Sequence, residues 1–420
     1  MNRIVIILLF ITNLAFAQQQ KVQLSDCYES MLNNYPLVNQ NDIYNQSSEL
    51  NMQNLKTKWL PNAELNAQAT YQSDVFELDI DIPLTVDLPV MPKDQYKASI
   101  DINQLIYDWG RIKSAKQVES ANLKVNQQNT QVELNKIKEQ INKFYFAILI
   151  LYRNEEVLEV MLNDLENKEK SVESGVKNGV LLSSDLSALK AEKIKVKQSI
   201  LEIKNQRFAT IDVLAEITGI ELAYESEFEI PKYNIETPDE LNRPEHVLFN
   251  YQKDKLDAMS GTVSKQNRPT VFAFTQLGYG KPGLNMTSQE FDSYYYVGVG
   301  LSWKFWDWNN TKREKQILSL NKSLISTQED SFNKQIQVAL KNESAKIKIY
   351  KDAIETDKEI IKLREEVSES ARFKLDNGVI TSTDYITELS KETQAKIAFE
   401  THKIQLVQSK VNYLYIKGDI

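Results

Sequence analysis

The chain has 420 residues, a formal net charge of −8 and a single cysteine, Cys27, which excludes an intrachain disulfide. Its mean hydropathy is −0.43, and after residue 17 no apolar run is long enough for a transmembrane helix, so any membrane-spanning part would have to be built from β-strands. Only 12 residues are glycine, and five of them lie between 278 and 300. The rest of the chain is therefore free to form long helices.

The first 17 residues predict a secretory signal peptide. Arg3 precedes an apolar run over 4–10, and Ala15-Phe16-Ala17 forms a small-x-small cleavage site, so Gln18 would be the first mature residue. The alternative is a transmembrane anchor, which needs about 20 apolar residues. Thr12 and Asn13 interrupt this run, which favours the signal peptide.

Two helices and two strands are predicted next, at about 24–35, 37–59, 62–72 and 96–107. An acidic loop that contains Asp79, Asp81 and Asp87 joins the strands. Each strand has about ten residues, the length that crosses a bilayer at a tilt, and its apolar-polar alternation suits a barrel with lipid outside and water inside. A half-buried strand of a soluble sheet alternates in the same way, so the pattern alone leaves both interpretations open.

A long helical hairpin is predicted from about 108 to 218. Ile137, Ile141, Phe144 and Ile148 step by 4, 3 and 4 residues, which is the spacing of a coiled-coil seam. A helix of about 70 residues would be about 100 Å long, too long for the core of a globular domain. The hairpin turns at Gly179, where glycine would take the left-handed conformation that ends a helix.

The sequence repeats at an offset of 199 residues. Residues 107–111 align with 306–310, 178–185 align with 377–384, and Gly219 aligns with Gly418. A fixed-period repeat predicts two structurally equivalent halves, which we place at 18–219 and 220–420. The second half would contain an equatorial segment, strands at about 270–280 and 294–306, and a hairpin at about 307–416.

The returning helix of each hairpin has candidate caps in its sequence. The candidate N-cap residues are Ser183 or Ser184 in the first half and Ser382 or Thr383 in the second. Asp185 and Asp384 would lie in the first helical turn, where a carboxylate favours the helix dipole.

Eight aromatic side chains at the strand ends predict two interfacial girdles of a membrane barrel. They are Tyr71, Tyr96, Tyr107, Tyr279, Tyr295, Trp303, Phe305 and Trp306. Four strands enclose no lumen, whereas three copies would supply twelve strands and twelve helical rods. We therefore predict a mainly α protein with a membrane β part. A long antiparallel coiled-coil helical barrel would join a 12-stranded β-barrel, with four strands per protomer, in a homotrimer.

Several motifs, taken in order, carry a family resemblance. They are 24–27 with 34–36, Trp59-Leu60-Pro61, 105–110, and the two Asn-Gly-Val turns at 178–185 and 377–384. Together they resemble the TolC-like outer-membrane efflux proteins, also called outer membrane factors. The resemblance implies a homotrimer in the Gram-negative outer membrane with a large periplasmic helical tunnel. It also implies docking to a periplasmic adaptor (a membrane fusion protein) and an inner-membrane pump.

The hairpin tips are the predicted functional sites. A gate is expected at Asp185 and Asp384, because like charges held close in a pore attract cations; simple helix capping is the alternative role of both. The resemblance implies a second carboxylate three residues after Asp384, where this chain has Thr387 followed by Glu388. The tip turns expected to dock the adaptor comprise Asn178, Gly179, Val180, Ser183, Asn377, Gly378, Val379 and Ser382.

The function predicted is a passive exit duct for a tripartite efflux or type I secretion system, gated at its helical tips. His246 and His402 have no partner motif, so no enzyme, cofactor or metal site is expected, and no nucleic-acid partner either. The alternative function is a soluble periplasmic coiled-coil adaptor, which explains the hairpins and the export signal. It leaves the two strand pairs with aromatic ends unexplained. Drug efflux, metal export and protein secretion remain open as the cargo.

Overall fold

A computed structural model describes residues 21–76, 90–233 and 241–420. The predicted signal peptide lies outside the described residues, and so do the loop acids Asp79, Asp81 and Asp87. Within the described ranges, none of the helices combines the length and the apolar character needed to cross a membrane.

The first half contains seven elements in the order β1 (Lys21–Val22), α1 (Leu24–Asn34), α2 (Gln40–Thr57), β2 (Asn62–Tyr71), β3 (Asp94–Tyr107), α3 (Arg111–Lys177) and α4 (Ser183–Thr218). A 3-10 turn over Pro36–Asn39 precedes α2, so the second helix begins three residues later than the sequence predicts. The residue before Pro36 is extended, as the proline ring requires, and the α-helix can begin only after this turn.

The second half contains β4 (Glu227–Phe228), α5 (Pro244–Val263), β5 (Thr270–Lys281), β6 (Asp292–Ser302), α6 (Asn310–Asp376) and α7 (Ser382–Lys417). Helices α3 and α6 both have 67 residues, and α4 and α7 both have 36. Each pair of helices begins 199 positions apart in the chain. The helical hairpins of the two halves are therefore equal in length residue for residue.

Both long helices begin after a strained turn rather than at Asp108 and Asp307. Trp109 and Trp308 have φ of 52° and 53°. The carboxylate of Asp108 accepts the Ile112 N–H at 2.6 Å, and that of Asp307 accepts the Thr311 N–H at 2.9 Å. An aspartate thus satisfies an unpaired N–H at each helix start, and the hydrogen bonds, first of all that from the Thr311 hydroxyl, lower the pKa of Asp307.

The described residues form two compact units, of which the first includes residues within 1–38, 130–244 and 331–420. Its larger hydrophobic cluster contains the fully buried side chains of Met31, Ile141, Tyr145 and Phe146. Strand β1 pairs in parallel with β4, and the Tyr145 hydroxyl donates to Val22 O at 2.9 Å and to Glu229 O at 2.7 Å. Helix α3 therefore also anchors this small sheet through Tyr145.

A second cluster in the same unit lies near the hairpin tips, where Leu165, Leu189 and Leu375 are fully buried. These residues come from α3, α4 and α6. Apolar packing therefore continues from the region of the small sheet toward the turns of both hairpins.

The second unit includes residues within 39–129 and 245–330 and contains a four-stranded antiparallel sheet in the order β2-β3-β5-β6. A bulge in β3 separates Leu105 from Tyr107. Strand β6 ends at Ser302, four residues before the predicted end. Its last paired partner is Thr270, and Pro269 before it has no N–H with which to continue the ladder.

Candidate functional site: a two-faced sheet and paired hairpin tips

One face of the sheet is apolar across all four strands. Strand register places Leu65, Ile100, Leu277 and Tyr295 side by side in one row. Their side chains are exposed, and Leu65 is 75% exposed. We call this surface the apolar face. It comprises the odd-numbered residues within 63–71 of β2, 271–279 of β5 and 293–301 of β6, together with the even-numbered residues within 96–104 of β3. It has no charged side chain over these ranges.

The opposite surface, the polar face, holds the charged side chains Glu64, Lys97 and Asp101. The carboxylate of Asp101 accepts hydrogen bonds from Asn66 Nδ2 at 2.7 Å, from Ser99 Oγ at 3.3 Å and from the side-chain amide of Gln276. Three of the four strands thus meet at one carboxylate. The sheet separates a surface suited to lipid from a surface suited to water.

The eight predicted girdle aromatics divide between the two ends of this sheet. Tyr71, Tyr96, Tyr279 and Tyr295 lie at the end of the sheet where β2 ends and β3 begins, and the other four lie at the opposite end, near the helices. All eight are exposed, between 44% for Tyr96 and 80% for Tyr71. Trp303 and Phe305 follow β6 rather than lying in it, and the Trp303 indole N–H donates to Asn267 O at 3.0 Å.

Three further aromatic residues join these groups, although we did not predict them from the sequence. The Phe291 ring stacks on Tyr279 with centroids 5.6 Å apart. Trp109 packs against Tyr107 at 4.9 Å, and Trp308 packs against Trp306 at 5.5 Å. The 199-residue offset between Trp109 and Trp308 was the sequence signal that could have identified two of them.

Both hairpins end α3 and α6 with the same turn. Gly179 and Gly378 have φ of 78° and 68°. In the first turn the Val180 N–H donates to Gly175 O at 2.9 Å and the Gly179 N–H donates to Val176 O at 3.0 Å, which is a Schellman motif. The second hairpin repeats both bonds 199 residues later. Val180 and Val379 remain 63% and 69% exposed at the two tips.

The predicted N-caps of the returning helices are wrong by one or two residues. Leu182 and Thr381 are the N-cap residues, so Ser183 and Ser382 are the first helical residues and Ser184 and Thr383 follow them. The Thr381 hydroxyl accepts the Asp384 N–H at 3.2 Å, and the Asp384 carboxylate accepts the Thr381 N–H at 3.0 Å. This reciprocal capping box places the N-cap at Thr381.

Asp185 connects the two tips. One oxygen of its carboxylate accepts the Leu182 N–H of its own turn at 3.3 Å, and the other accepts the Ser382 N–H of the second hairpin at 2.8 Å. Ser382 is fully buried and Asp185 is 9% exposed. The Asp185 side chain therefore stabilises both turns, which is more than the simple cap that the sequence predicts.

The other three predicted gate residues line one surface hollow of about 440 Å³ beside α6. Asp384 is exposed, and its hydrogen bonds with the Thr381 hydroxyl and N–H lower its pKa. The Thr387 hydroxyl donates to Thr383 O at 2.8 Å, and Glu388 pairs with Lys391 at 2.7 Å. The Asp384 carboxylate is thus held by the hydrogen bonds of its own capping box.

Neither histidine belongs to the four-stranded sheet or to the hairpin tips. His402 Nδ1 is 2.6 Å from Asp357 Oδ2, and His246 Nδ1 is 3.5 Å from Glu329 Oε1. Among the residues that the structure describes, no group of three or more His, Cys, Asp or Glu side chains is arranged to hold a metal ion.

Solved structures of outer-membrane channels share this fold. The outer-membrane protein VceC of Vibrio cholerae matches with a TM-score of 0.67 and 14% identity, over 94% of this chain and 96% of that chain. The CmeC channel of Campylobacter jejuni matches with a TM-score of 0.66 and 14% identity, over 94% and 85% of the two chains. The MtrE channel of Neisseria gonorrhoeae, in its open state, matches with a TM-score of 0.65 and 13% identity, over 94% of this chain and 88% of that chain.

No protein-family model and no curated protein sequence matches the chain. At these identities the likeness to solved structures concerns the fold. The chain has the fold of TolC-like outer-membrane channels, mainly helical with a small antiparallel β part, and this prediction is confirmed. The proteins that share the fold are channels rather than enzymes.

Proposed function

We propose that three copies of this chain form an outer-membrane channel, the exit duct of a tripartite efflux or type I secretion system. The observation that carries this proposal is the apolar face of the sheet. It is free of charge between its two aromatic ends, and Leu65, Val297 and Val299 are each more than 70% exposed. Such a surface is unfavourable in water, since each large apolar side chain gains about 1.5–3 kcal/mol on burial. Lipid would cover it.

The edges of the sheet support assembly from several copies. Within the part of the chain that the structure describes, strands β2 and β6 each pair on one side only, and an open edge invites another strand. If β6 of one copy pairs with β2 of the next, three copies make a closed twelve-stranded barrel from four strands each. The polar face, with Glu64, Lys97 and Asp101, would then line the water-filled lumen.

Exposed apolar side chains along α6 support the same assembly. They occur at intervals over the length of the helix and would pack against a neighbouring copy: Ile317, Leu320, Leu324, Val338, Ile349, Ile360, Leu363 and Val367. A long helix with this much exposed apolar surface is typical of an assembly interface.

We propose that the tips dock a periplasmic adaptor, which in turn connects to an inner-membrane pump. Val180, Leu182 and Val379 expose between 63% and 70% of their surface there. These apolar side chains project from turns whose backbone groups are already hydrogen-bonded, so they are available for a partner rather than for the fold. The predicted docking residues around them, at 178–183 and 377–379, lie in or beside these two turns, whereas Ser382 is buried and contributes no docking surface.

We propose that the same tips gate the channel. In a trimer three Asp384 carboxylates would approach the narrow end of the helical part, where their charge would attract cations. Asp185 contributes by holding the two turns together. Single-channel recording tests this role: Asp384→Ala should weaken the block by multivalent cations from the tip side, and unchanged block would contradict the gate.

The proposal as a whole is tested by extracting cell envelopes. The mature protein should remain with outer-membrane lipid until detergent is added, and the particle should then have the mass of three copies. A monomer that stays in solution without detergent would contradict the channel. That outcome would favour the soluble adaptor function instead.

A further inference from the structure

The polar face differs between the two halves of the sheet. Over 62–70 of β2 and 95–103 of β3 it carries amide, hydroxyl and charged side chains, whereas over 272–278 of β5 and 294–300 of β6 it carries aromatic rings and glycines together with Gln276. Phe272 and Phe274 have ring centroids 6.1 Å apart, and Phe274 meets Tyr296 edge-on at 6.2 Å. We call these three residues the aromatic ladder. It follows the strand direction on the surface that the channel proposal assigns to the lumen.

Glycines hold the Phe rings of this ladder flat against the sheet. Phe272 is paired with Gly300 and Phe274 with Gly298, and the far edge of each ring occupies the place that a Cβ on the glycine would take. The rings therefore lie across the neighbouring strand instead of standing up from it. They line the wall without filling the space in front of it, and both remain partly exposed.

Two carboxylates lie in the same row as the end of the ladder. Register aligns Glu64, Asp101, Gln276 and Tyr296 across the four strands. Gln276 donates to the Asp101 carboxylate, which fixes the carboxylate beside the ladder. Lys97, the cation of this face, lies closer to the loop end, with its Nζ 5.8 Å from the Tyr294 ring.

We propose that the aromatic ladder and its row of carboxylates form a contact site in the lumen for organic cations that carry aromatic rings. The inference rests on the proposed channel function and names the class of cargo for it. Rings recognise rings by stacking and cations by their π-electrons, and Glu64 and Asp101 add the attraction of a negative wall. Such contacts are individually weak, and a conduit needs weak contacts because its cargo must also leave.

Single-channel recording in planar bilayers tests the site with two probes of equal charge. Tetraphenylphosphonium has four rings, and tetrabutylammonium has none. For each channel variant the measurement is the ratio of the residence times of the two cations during current block. Phe272→Leu with Phe274→Leu keeps apolar side chains over the glycines, and Tyr296→Leu changes one exposed ring. Val299→Leu on the opposite face of β6 is the matched control.

The wild-type channel should hold tetraphenylphosphonium longer than tetrabutylammonium. The double Leu variant should lower the ratio about fivefold, and Tyr296→Leu should lower it about two- to threefold. Asp101→Asn should shorten both residence times by a common factor and leave the ratio unchanged, and Val299→Leu should change neither.

Two other results would distinguish a failure of the contact site from a failure of the channel function. A conducting channel whose ratio is the same in both ring variants as in the wild type would overturn the contact site and leave the channel standing. A wild-type protein that forms no ion-conducting pore would overturn the channel and the contact site together.

Discussion

The bond between the two hairpin tips gives the most specific prediction, for the variant Asp185→Ala. The substitution removes the acceptor of the buried Ser382 N–H, which lies 2.8 Å from the Asp185 carboxylate. A buried donor left without a partner costs about 1–3 kcal/mol. The Leu182 N–H, at the longer distance of 3.3 Å, is part-buried and adds less. We expect a loss of about 2 kcal/mol in the local stability of the tips, or about thirtyfold faster amide exchange.

Hydrogen–deuterium exchange of the detergent-solubilised protein measures this loss. Asp185→Ala should speed exchange in peptides from both tips, 178–186 and 377–386, because the carboxylate serves both turns. Asp384→Ala is the matched control at the equivalent position, since its carboxylate bonds only within its own turn. It should speed exchange in 377–386 alone. Faster exchange confined to 178–186 in Asp185→Ala would refute the bond between the tips.

Three further predictions concern the first unit. Gly418→Ala should lower the thermal inactivation temperature, because Gly418 has φ of 91° and a Cβ there would overlap the backbone of Asn242; the left-handed conformation alone costs about 1–2 kcal/mol. Arg207→Ala should cost about 3–5 kcal/mol in the free energy of unfolding, since it leaves Glu155 buried without its cation. Cys27 is fully buried and its pKa is raised to about 12 by desolvation, so iodoacetamide should not alkylate it at pH 8 until denaturant is added.

Each of these three predictions has a control variant or a contrary outcome that tests it. Gly378→Ala shares the positive φ, but a Cβ there would lie 3.8 Å from Val180 O, an ordinary van der Waals contact, so it should be the milder of the two glycine substitutions. Arg207→Met with Glu155→Leu should recover most of the stability that Arg207→Ala loses, and no recovery would argue against an unpaired charge as the cause. Rapid alkylation of native Cys27 would mean that α1 opens readily.

Sequence periodicity predicted the regular elements because their spacing depends on local geometry. The alternation over 62–72 predicted a strand, and the structure has one at Asn62–Tyr71. The steps between Ile137 and Ile148 predicted a seam, and both side chains are buried. The N-cap at Thr381 could also have been predicted from the sequence, because Thr381 and Asp384 have the spacing of a capping box.

Contacts that join distant segments could not be predicted in this way. The Asp185 carboxylate meets Ser382 across 197 positions of sequence, and no local rule relates the two. The pairing of Phe274 with Gly298 depends on strand register, which the alternation of either strand alone leaves undetermined. The sequence shows five clustered glycines, but only the strand register explains that two of them, Gly298 and Gly300, accommodate the rings of Phe274 and Phe272.

The equal lengths of the duplicated helices have a consequence for the wall of the proposed trimeric channel. Six identical single-repeat chains would place every side chain six times around the axis, so all six repeats in the wall would have the same chemistry. In the proposed trimer, two repeats in each chain would make the wall alternate between two kinds of unit around a threefold axis. The first repeat could then carry Asp101 while the second carries Phe274, so duplication would let a symmetric channel combine two kinds of inner lining.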